Sequence, residues 1–407
     1  MKAEEVLLKT LKKYALCDNC LGRSFGRLVF GLSNKERGFI LRNWVAFLID
    51  TGEKIEINPL NFYGIKFRNI KITARRPPRC FVCQNFFDEK IENVVEAILK
   101  KLKRVEFESF LVGSKIPNQM LIAEEKVLKT ANLEWAEPIK SEINREIGKL
   151  IEKLTGKRFE AENPDITILV DLKNNEISLQ VKGLYVFGKY KKLVRGIPQT
   201  TRKPYPTSIQ EEIERPLLKA SGSKKSAFHG LGREDIDVRC LGWRPFIIEL
   251  VKPIKRKIKL RKVQKEINKS KKVKVSGLKI IEDGIEVGNL KSKKVDKSYL
   301  AEVIFKKPIQ RKKLKWLKKL IAEPIFQKTP LRVVHRRADK WRKRRVKRIS
   351  WKLLGKKKLQ LKITGEAGLY IKELISGDEG RTKPNVAEIL ENEVEKIILD
   401  VVKISGC

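Results

Sequence analysis

Histidine and methionine are nearly missing from this chain, with two of each in 407 residues. A Ser-His-Asp triad or a histidine-built hydrolytic metal site is therefore poorly supplied. Acidic residues are scarce beside basic ones, 49 against 91, which leaves a formal net charge of +42. Such an excess repels itself in a compact state and favours a polyanionic partner. Nucleic acid is the leading candidate and an anionic membrane the second. No apolar run approaches transmembrane length. Residues 1–13 alternate charged and apolar side chains where a signal peptide would carry an apolar core. A cytoplasmic protein with no membrane association is expected. No internal repeat is visible.

Cysteine is also sparse, six in all. Four of the six form two Cys-x-x-Cys pairs, Cys17/Cys20 and Cys80/Cys83. Two such knuckles offer the four thiolates that structural zinc prefers in a tetrahedron, and in a reducing cytosol metal is favoured over disulfides. The long interval between the pairs exceeds that of a compact zinc ribbon, so a redox pair or chance is the other reading. Cys240 is expected as a small core residue and Cys407 as a tail thiol.

Length and ordinary hydrophobic content, 41%, allow two or three domains with real cores. Helical periodicity is expected over residues 3–16, 21–48, 91–102 and 140–155. Strand-like runs fall at 105–112, 165–172 and 176–181. The polar, proline-containing stretch 199–208 reads as a linker. Beyond it come a helix over 209–220 that Pro216 kinks, strands at 245–251 and 273–281, a helical face at Leu260, Val263 and Ile267, and a closing helix and strand within 386–404.

One stretch stands out for chemistry, His229-Gly230-Leu231-Gly232-Arg233-Glu234-Asp235-Ile236-Asp237-Val238-Arg239. Its glycines permit backbone that other residues resist. Ile236 and Val238 alternate with Asp237 and Arg239, which reads as a short strand. Asp235 then stands where a loop enters a strand, a rigid place for a catalytic side chain. A charged turn before an edge strand is the plainer alternative.

Gly232-Arg233-Glu234-Asp235 resembles the Gly-Arg-x-Asp signature of RNA pseudouridine synthases, in which the aspartate is the indispensable catalytic residue. Residues 232–249 are similar to the archaeal and eukaryotic branch that acts on uridines 54 and 55 in the TΨC arm of tRNA. Two departures stand beside the match. Ile236 and Asp237 replace the small residue and glycine found in many synthases. The run Leu241-Gly242-Trp243-Arg244-Pro245-Phe246 is one residue short of the branch pattern.

Further segments carry the same resemblance. Lys297-Ser298-Tyr299-Leu300-Ala301 is similar to the stretch whose tyrosine stacks on the target base, which implies that role for Tyr299. The Gly365-to-Leu374 segment resembles the stretch whose cation pairs with the catalytic aspartate and whose leucine packs beneath the base; the matching residues are Lys372 and Leu374. Arg233 is expected to contact substrate. The most basic segment, 329–348, resembles an RNA-gripping arm, with Arg336, Arg337 and Trp341 as contacts. Residues 183–199 resemble part of a THUMP domain, a small α/β module that delivers tRNA to modifying enzymes. Tyr190, Lys191 and Arg195 would supply its aromatic and its cations. Other THUMP-bearing enzymes would want a strand followed by a Gly-x-Gly loop for a methyl donor, or a nucleotide-binding glycine loop with a working cysteine, and neither stands out here.

The resulting expectation is an α+β protein in three parts: a zinc-knuckle segment over 1–90, a THUMP-like domain over 91–198 and a synthase domain with a central, mainly antiparallel sheet over 199–407. Its chemistry is the isomerisation of uridine to pseudouridine in tRNA, with structural zinc, no organic cofactor and a monomeric state. A non-catalytic, zinc-containing tRNA-binding adaptor is the alternative.

Overall fold

A computed structural model describes residues 2–72, 79–132, 134–282, 284–335 and 337–405. The chain divides into two compact units, Met1–Lys182 and Gly183–Cys407.

In the first unit, apolar residues recur at helical spacing and end up inside. Ile139, Ile143, Ile147 and Ile151 lie one turn apart on the helix Ile139–Thr155, and all four are fully buried. The helix stops at Gly156, whose φ of 67° suits a residue without a Cβ. Val6, Leu7 and Leu11 do the same for the helix Ala3–Lys13, and Val95, Ile98 and Leu102 for Ile91–Leu102. These helices share one core with a four-stranded sheet ordered Arg158–Phe159, Ser109–Lys115, Ile166–Asp171, Glu176–Val181. The first two strand pairings are parallel and the last is antiparallel.

The helix expected over 21–48 is two helices, Asp18–Arg23 and Asn34–Asp50. Ser33 and Glu36 form a reciprocal capping box that starts the second. The two helices approach so closely that a Cβ on Gly22 would overlap the carbonyl of Asn34, and one on Gly38 the carbonyl of Asp18.

The second unit is built on one large sheet. Its order is Val346–Leu353, Lys358–Gly365, Lys297–Phe305, Val394–Ile404, Arg239–Val251, Leu184–Lys192, Val273–Ile281, with Lys225–Gly230 also paired to Arg239–Val251. Every neighbouring pair is antiparallel except Val394–Ile404 with Arg239–Val251, where Asp400 aligns with Arg239 and Val401 with Cys240. The mainly antiparallel sheet is thus as expected. The central strand alternates between two cores: Phe246, Ile248 and Leu250 face one, and Ile247 the other. The first core is covered by the helices Ile209–Ser221 and Leu260–Ile267 through Ile209, Ile213, Leu217, Val263 and Ile267. Pro216 sits inside a helix that runs unbroken around it.

Two expectations change here. The boundary placed near 199 falls between Lys182 and Gly183. Residues 184–192 are a strand hydrogen-bonded between Arg239–Val251 and Val273–Ile281, so sheet pairing assigns them to the second unit. The strand expected from Ile236 begins only at Arg239, because Ile236 and Asp237 form a turn.

Candidate active site

The loop over residues 231–238 joins two paired strands, Lys225–Gly230 and Arg239–Val251. Three side chains tie down its backbone, buried Arg244 and Lys192 and half-buried Gln199. Arg244 Nη1 donates to the carbonyl of Leu231 at 2.8 Å. Gln199 Nε2 donates to that of Gly232 at 3.0 Å. Lys192 Nζ donates to those of Asp235 and Ile236 at 3.2 and 2.8 Å. Gly232 takes a φ of 67°, a turn that few other residues accept.

Glu234 turns inward. Its side chain is fully buried against the Arg244 guanidinium, with Nε 3.1 Å from Oε2. That N–H does not point along the hydrogen-bond line, so the contact is an ion pair only. The Tyr190 hydroxyl donates to both Glu234 oxygens at 3.1 and 3.2 Å and accepts from Gln199 Nε2 at 2.8 Å. Burial opposes the charge on Arg244, but the Glu234 carboxylate beside it keeps the guanidinium protonated. With Glu234 held below, Asp235 turns the other way, into a pocket of about 560 Å³.

Tyr299, Arg332, Lys372 and Arg233 share the pocket wall with Asp235, and Val238, Leu369, Ile371 and Val401 give it an apolar side. Burial pushes the Tyr299 phenol up to about 12, so it stays protonated at neutral pH. Asp235 Oδ1 accepts from Arg332 Nη1 at 2.9 Å. Lys372 Nζ stands 3.6 Å from Asp235 Oδ2 but donates to Asp237 at 2.7 and 2.8 Å. The pairing of Lys372 with Asp235 is therefore a looser ion pair than the resemblance implies. Tyr370, next in the wall, is held by a reciprocal clamp: its N–H donates to Gln327 Oε1 and its carbonyl accepts from Gln327 Nε2, both at 2.9 Å.

The structure brings together Asp235, Tyr299, Lys372, Arg233 and Arg337, all of which line the pocket; Arg337 donates to the Tyr370 hydroxyl at 2.7 Å. Other expected site residues stand elsewhere. Tyr190 is fully buried beneath the loop, so it supports the loop instead of facing RNA. Leu374 is also fully buried, in the core behind the pocket; from the same segment, Ile371 and Leu369 reach the cavity instead. Arg195 is engaged by Asp400 at 2.6 Å and by the carbonyls of Asp237 and Leu399 at 2.8 and 2.6 Å. Lys191 lies over the Trp243 ring, 4.6 Å from its centre, and Arg244, near that tryptophan in sequence, is buried. Trp341 is more than half exposed. Arg336 lies outside the described residues.

Arg332, and Glu373 whose Oε1 accepts from Arg332 Nε at 2.6 Å, are among the residues at the site that sequence reasoning missed. Arg332 belongs to the basic segment 329–348, where one arginine among many carries no local signal.

In the first unit, the Sγ atoms of Cys17, Cys20, Cys80 and Cys83 all lie within 4.8 Å of one another. A tetrahedral zinc with bonds of about 2.3 Å sets sulfurs roughly 3.8 Å apart, and the Cys17 and Cys83 sulfurs are 3.5 Å apart. The Cys17 N–H points at the Cys80 sulfur at 3.3 Å, as a backbone donor to a ligand thiolate does. Four converging soft donors fit a structural metal. Cys240 is buried, as expected of a core residue, and Cys407 lies outside the described residues.

Family comparisons agree with this architecture. Residues 94–171 match the family described as Pus10 THUMP domain, archaeal, and residues 185–405 match Pus10, C-terminal. A THUMP module ahead of a pseudouridine synthase domain is the class of protein that these matches define. Proteins named tRNA pseudouridine synthase Pus10 are similar along nearly their whole length. That of Methanopyrus kandleri is 38% identical over 98% of this chain and 97% of its own. That of Pyrococcus furiosus is 37% identical over 99% and 97%, and that of Methanothrix thermoacetophila 35% over 98% and 94%. The chain belongs to the Pus10 family of tRNA pseudouridine synthases. Among solved structures, a Cbf5-Nop10-Gar1 complex aligns with a TM-score of 0.28 at 17% identity, over 52% of this chain and 47% of that one.

Proposed function

We propose that this tRNA pseudouridine synthase isomerises uridine at positions 54 and/or 55 of the TΨC arm, with Asp235 as its catalytic carboxylate. One observation carries the assignment to Asp235. Of the two carboxylates that line the pocket, Glu234 is consumed by its buried ion pair, and Asp235 is the one presented to the cavity.

The reaction breaks the C1′–N1 glycosidic bond, turns the uracil and rejoins it through C5. Atoms and oxidation state are conserved, so the reaction asks for no organic cofactor. Asp235 acts at the ribose, either as a nucleophile on C1′ or as a base toward a sugar proton. Tyr299 stacks on the extruded base and offsets part of the few kcal/mol that unstacking costs. Arg233 and Arg337, on the pocket wall, meet the flanking backbone. Cys17, Cys20, Cys80 and Cys83 hold one structural zinc, which cross-links the first unit and takes no part in the isomerisation. No helix among the described residues is long and apolar enough to cross a membrane. The enzyme works as a monomer in the cytoplasm on tRNA.

The test is nucleotide-resolved mapping of pseudouridine after incubation with unmodified tRNA. Product at 54 and/or 55 is expected. Asp235→Asn should abolish it while tRNA affinity stays within a few-fold, and Asp237→Asn should retain measurable activity. Product at other positions would remove the 54/55 assignment. An active Asp235→Asn beside a dead Asp237→Asn would move the catalytic role to Asp237.

A further inference from the structure

We infer that Arg332 and Glu373 form the positioning pair of the catalytic aspartate: buried Glu373 fixes the Arg332 guanidinium, and that guanidinium aims Asp235 at the ribose. The inference rests on the reading that Asp235 is catalytic.

Arg332 and Lys372 both approach the Asp235 carboxylate, and distance separates them. Arg332 Nη1 is 2.9 Å from Oδ1, within hydrogen-bond range, whereas Lys372 Nζ is 3.6 Å from Oδ2, beyond it. Lys372 spends its close contacts on Asp237. Arg332 thus occupies the place that the resemblance gives to the lysine.

The other end of the guanidinium is also held. Arg332 Nε donates to Glu373 Oε1 at 2.6 Å. The Glu373 side chain is only 5% exposed and sits on the helix Ile371–Ser376 directly after Lys372. With Nε on one carboxylate and Nη1 on another, the planar fork cannot rotate without breaking a charge-assisted bond. A lysine, with a point charge on a flexible stem, could not transmit orientation from Glu373 to Asp235 in this way.

The backbone that carries Arg332 is anchored too. Thr329 is fully buried and donates to the carbonyl of Ala338 at 2.7 Å. The Leu331 N–H donates to Asp378 Oδ2 at 3.1 Å.

Stability alone does not account for Glu373. Its Oε2 is buried and meets no hydrogen-bond donor among the described residues. A buried acceptor left in this state is destabilising, and well-packed apolar residues often do as well as a buried ion pair. The carboxylate makes sense as an anchor for Arg332. Removing Arg332 would take from the Asp235 carboxylate its hydrogen-bonded cation, while Lys372 stays engaged with Asp237.

The experiment measures single-turnover rates at saturating enzyme and tRNA binding for Arg332→Ala, Arg332→Gln, Glu373→Gln, the Arg332→Gln/Glu373→Gln double variant, Lys372→Ala and Asp235→Asn, in the full chain. Misplacing a reacting group costs on the order of a hundredfold. Arg332→Ala should lose about that much rate, more than Lys372→Ala, with tRNA affinity within a few-fold. Free guanidinium ion, far below denaturing concentration, should restore part of the Arg332→Ala rate, a response that a purely structural role would not show. Glu373→Gln should slow the reaction less, and the double variant should be no slower than Arg332→Gln, because both changes cut one chain of contacts. An Arg332→Ala enzyme with the wild-type saturated rate would overturn the inference, as would multiplicative penalties in the double variant. So would weakened binding with an intact saturated rate, which would make Arg332 a phosphate contact. In each case an inactive Asp235→Asn would leave the aspartate assignment standing, and an active one would remove that assignment itself.

Discussion

Lys372 donates to Asp237, two residues past the catalytic candidate, with Nζ 2.8 and 2.7 Å from its two carboxylate oxygens. Burial pushes the Asp237 carboxyl up, but the hydrogen bond and charge of Lys372 outweigh it and hold the group below its ordinary value. Asp237 therefore stays ionised and parks the lysine at the pocket rim. Lys372→Ala should lower the saturated single-turnover rate with little change in the salt dependence of tRNA binding. If it instead loses affinity and keeps its rate, Lys372 is an RNA contact.

The buried network under the loop should dominate the stability of the second unit. Glu234→Ala leaves Arg244 uncompensated and should cost about 3–5 kcal/mol, read as a shift in the denaturant transition of that unit. Tyr190→Phe removes the hydroxyl between Glu234 and Gln199 and should cost about 1–3 kcal/mol. Because Tyr190 is buried, its substitution should leave the salt slope of tRNA binding unchanged. A flattened slope would return the tyrosine to the RNA surface.

Protein purified without added metal should carry one zinc per chain, and Cys20→Ser or Cys83→Ser should lose it together with thermal stability of the first unit. The saturated isomerisation rate should survive better than stability does. A metal-free, fully folded chain would dismiss the site.

The arm over residues 337–348 should behave as a polyelectrolyte surface. Affinity for tRNA should fall steeply with salt, because neutralised phosphates release counterions. Replacing any of Arg337, Arg342, Arg344 and Arg345 that neutralises a phosphate should reduce the log–log slope by roughly 0.7–0.9 per residue. Binding isotherms at several salt concentrations decide it, and an unchanged slope would reduce the arm to a solvated face.

Asp400 ties the parallel strand pair to the loop. It accepts from Arg239 at 3.0 and 2.6 Å and from Arg195 at 2.6 Å. Burial raises its carboxyl, but these two guanidinium groups prevail and hold it below its ordinary value. A carboxyl depressed on folding stabilises above its unfolded value, about pH 3.9 for aspartate, and the benefit fades as pH falls through the folded value. Asp400→Asn should therefore cost about 1–3 kcal/mol near pH 7, and the gap from wild type should close below roughly pH 4. A gap that stays constant into acid would contradict the ion pairing.

Much of the site was legible because its signals are local. Asp235 lies in a contiguous motif, and Lys372 and Tyr299 each sit in a short recognisable stretch. Arg332 was not legible. It meets Asp235 across 97 positions, and no spacing rule links a basic run to a distant loop. Leu374 misled for a related reason: its helix has neighbouring apolar positions, and packing turned Ile371 to the pocket and Leu374 to the core.

By itself the sequence determined the isoleucine stripe of the helix Ile139–Thr155, the alternation of the central strands, the paired cysteines and the basic charge. Each reflects a period or composition that one segment carries alone. Tertiary structure alone decided that 184–192 joins the synthase sheet, that Tyr190 supports the loop from below, and that Arg332 stands closer to Asp235 than Lys372 does. Those outcomes depend on strand order and register, and these are settled by contacts between distant segments, where a shift of one residue reverses every side chain.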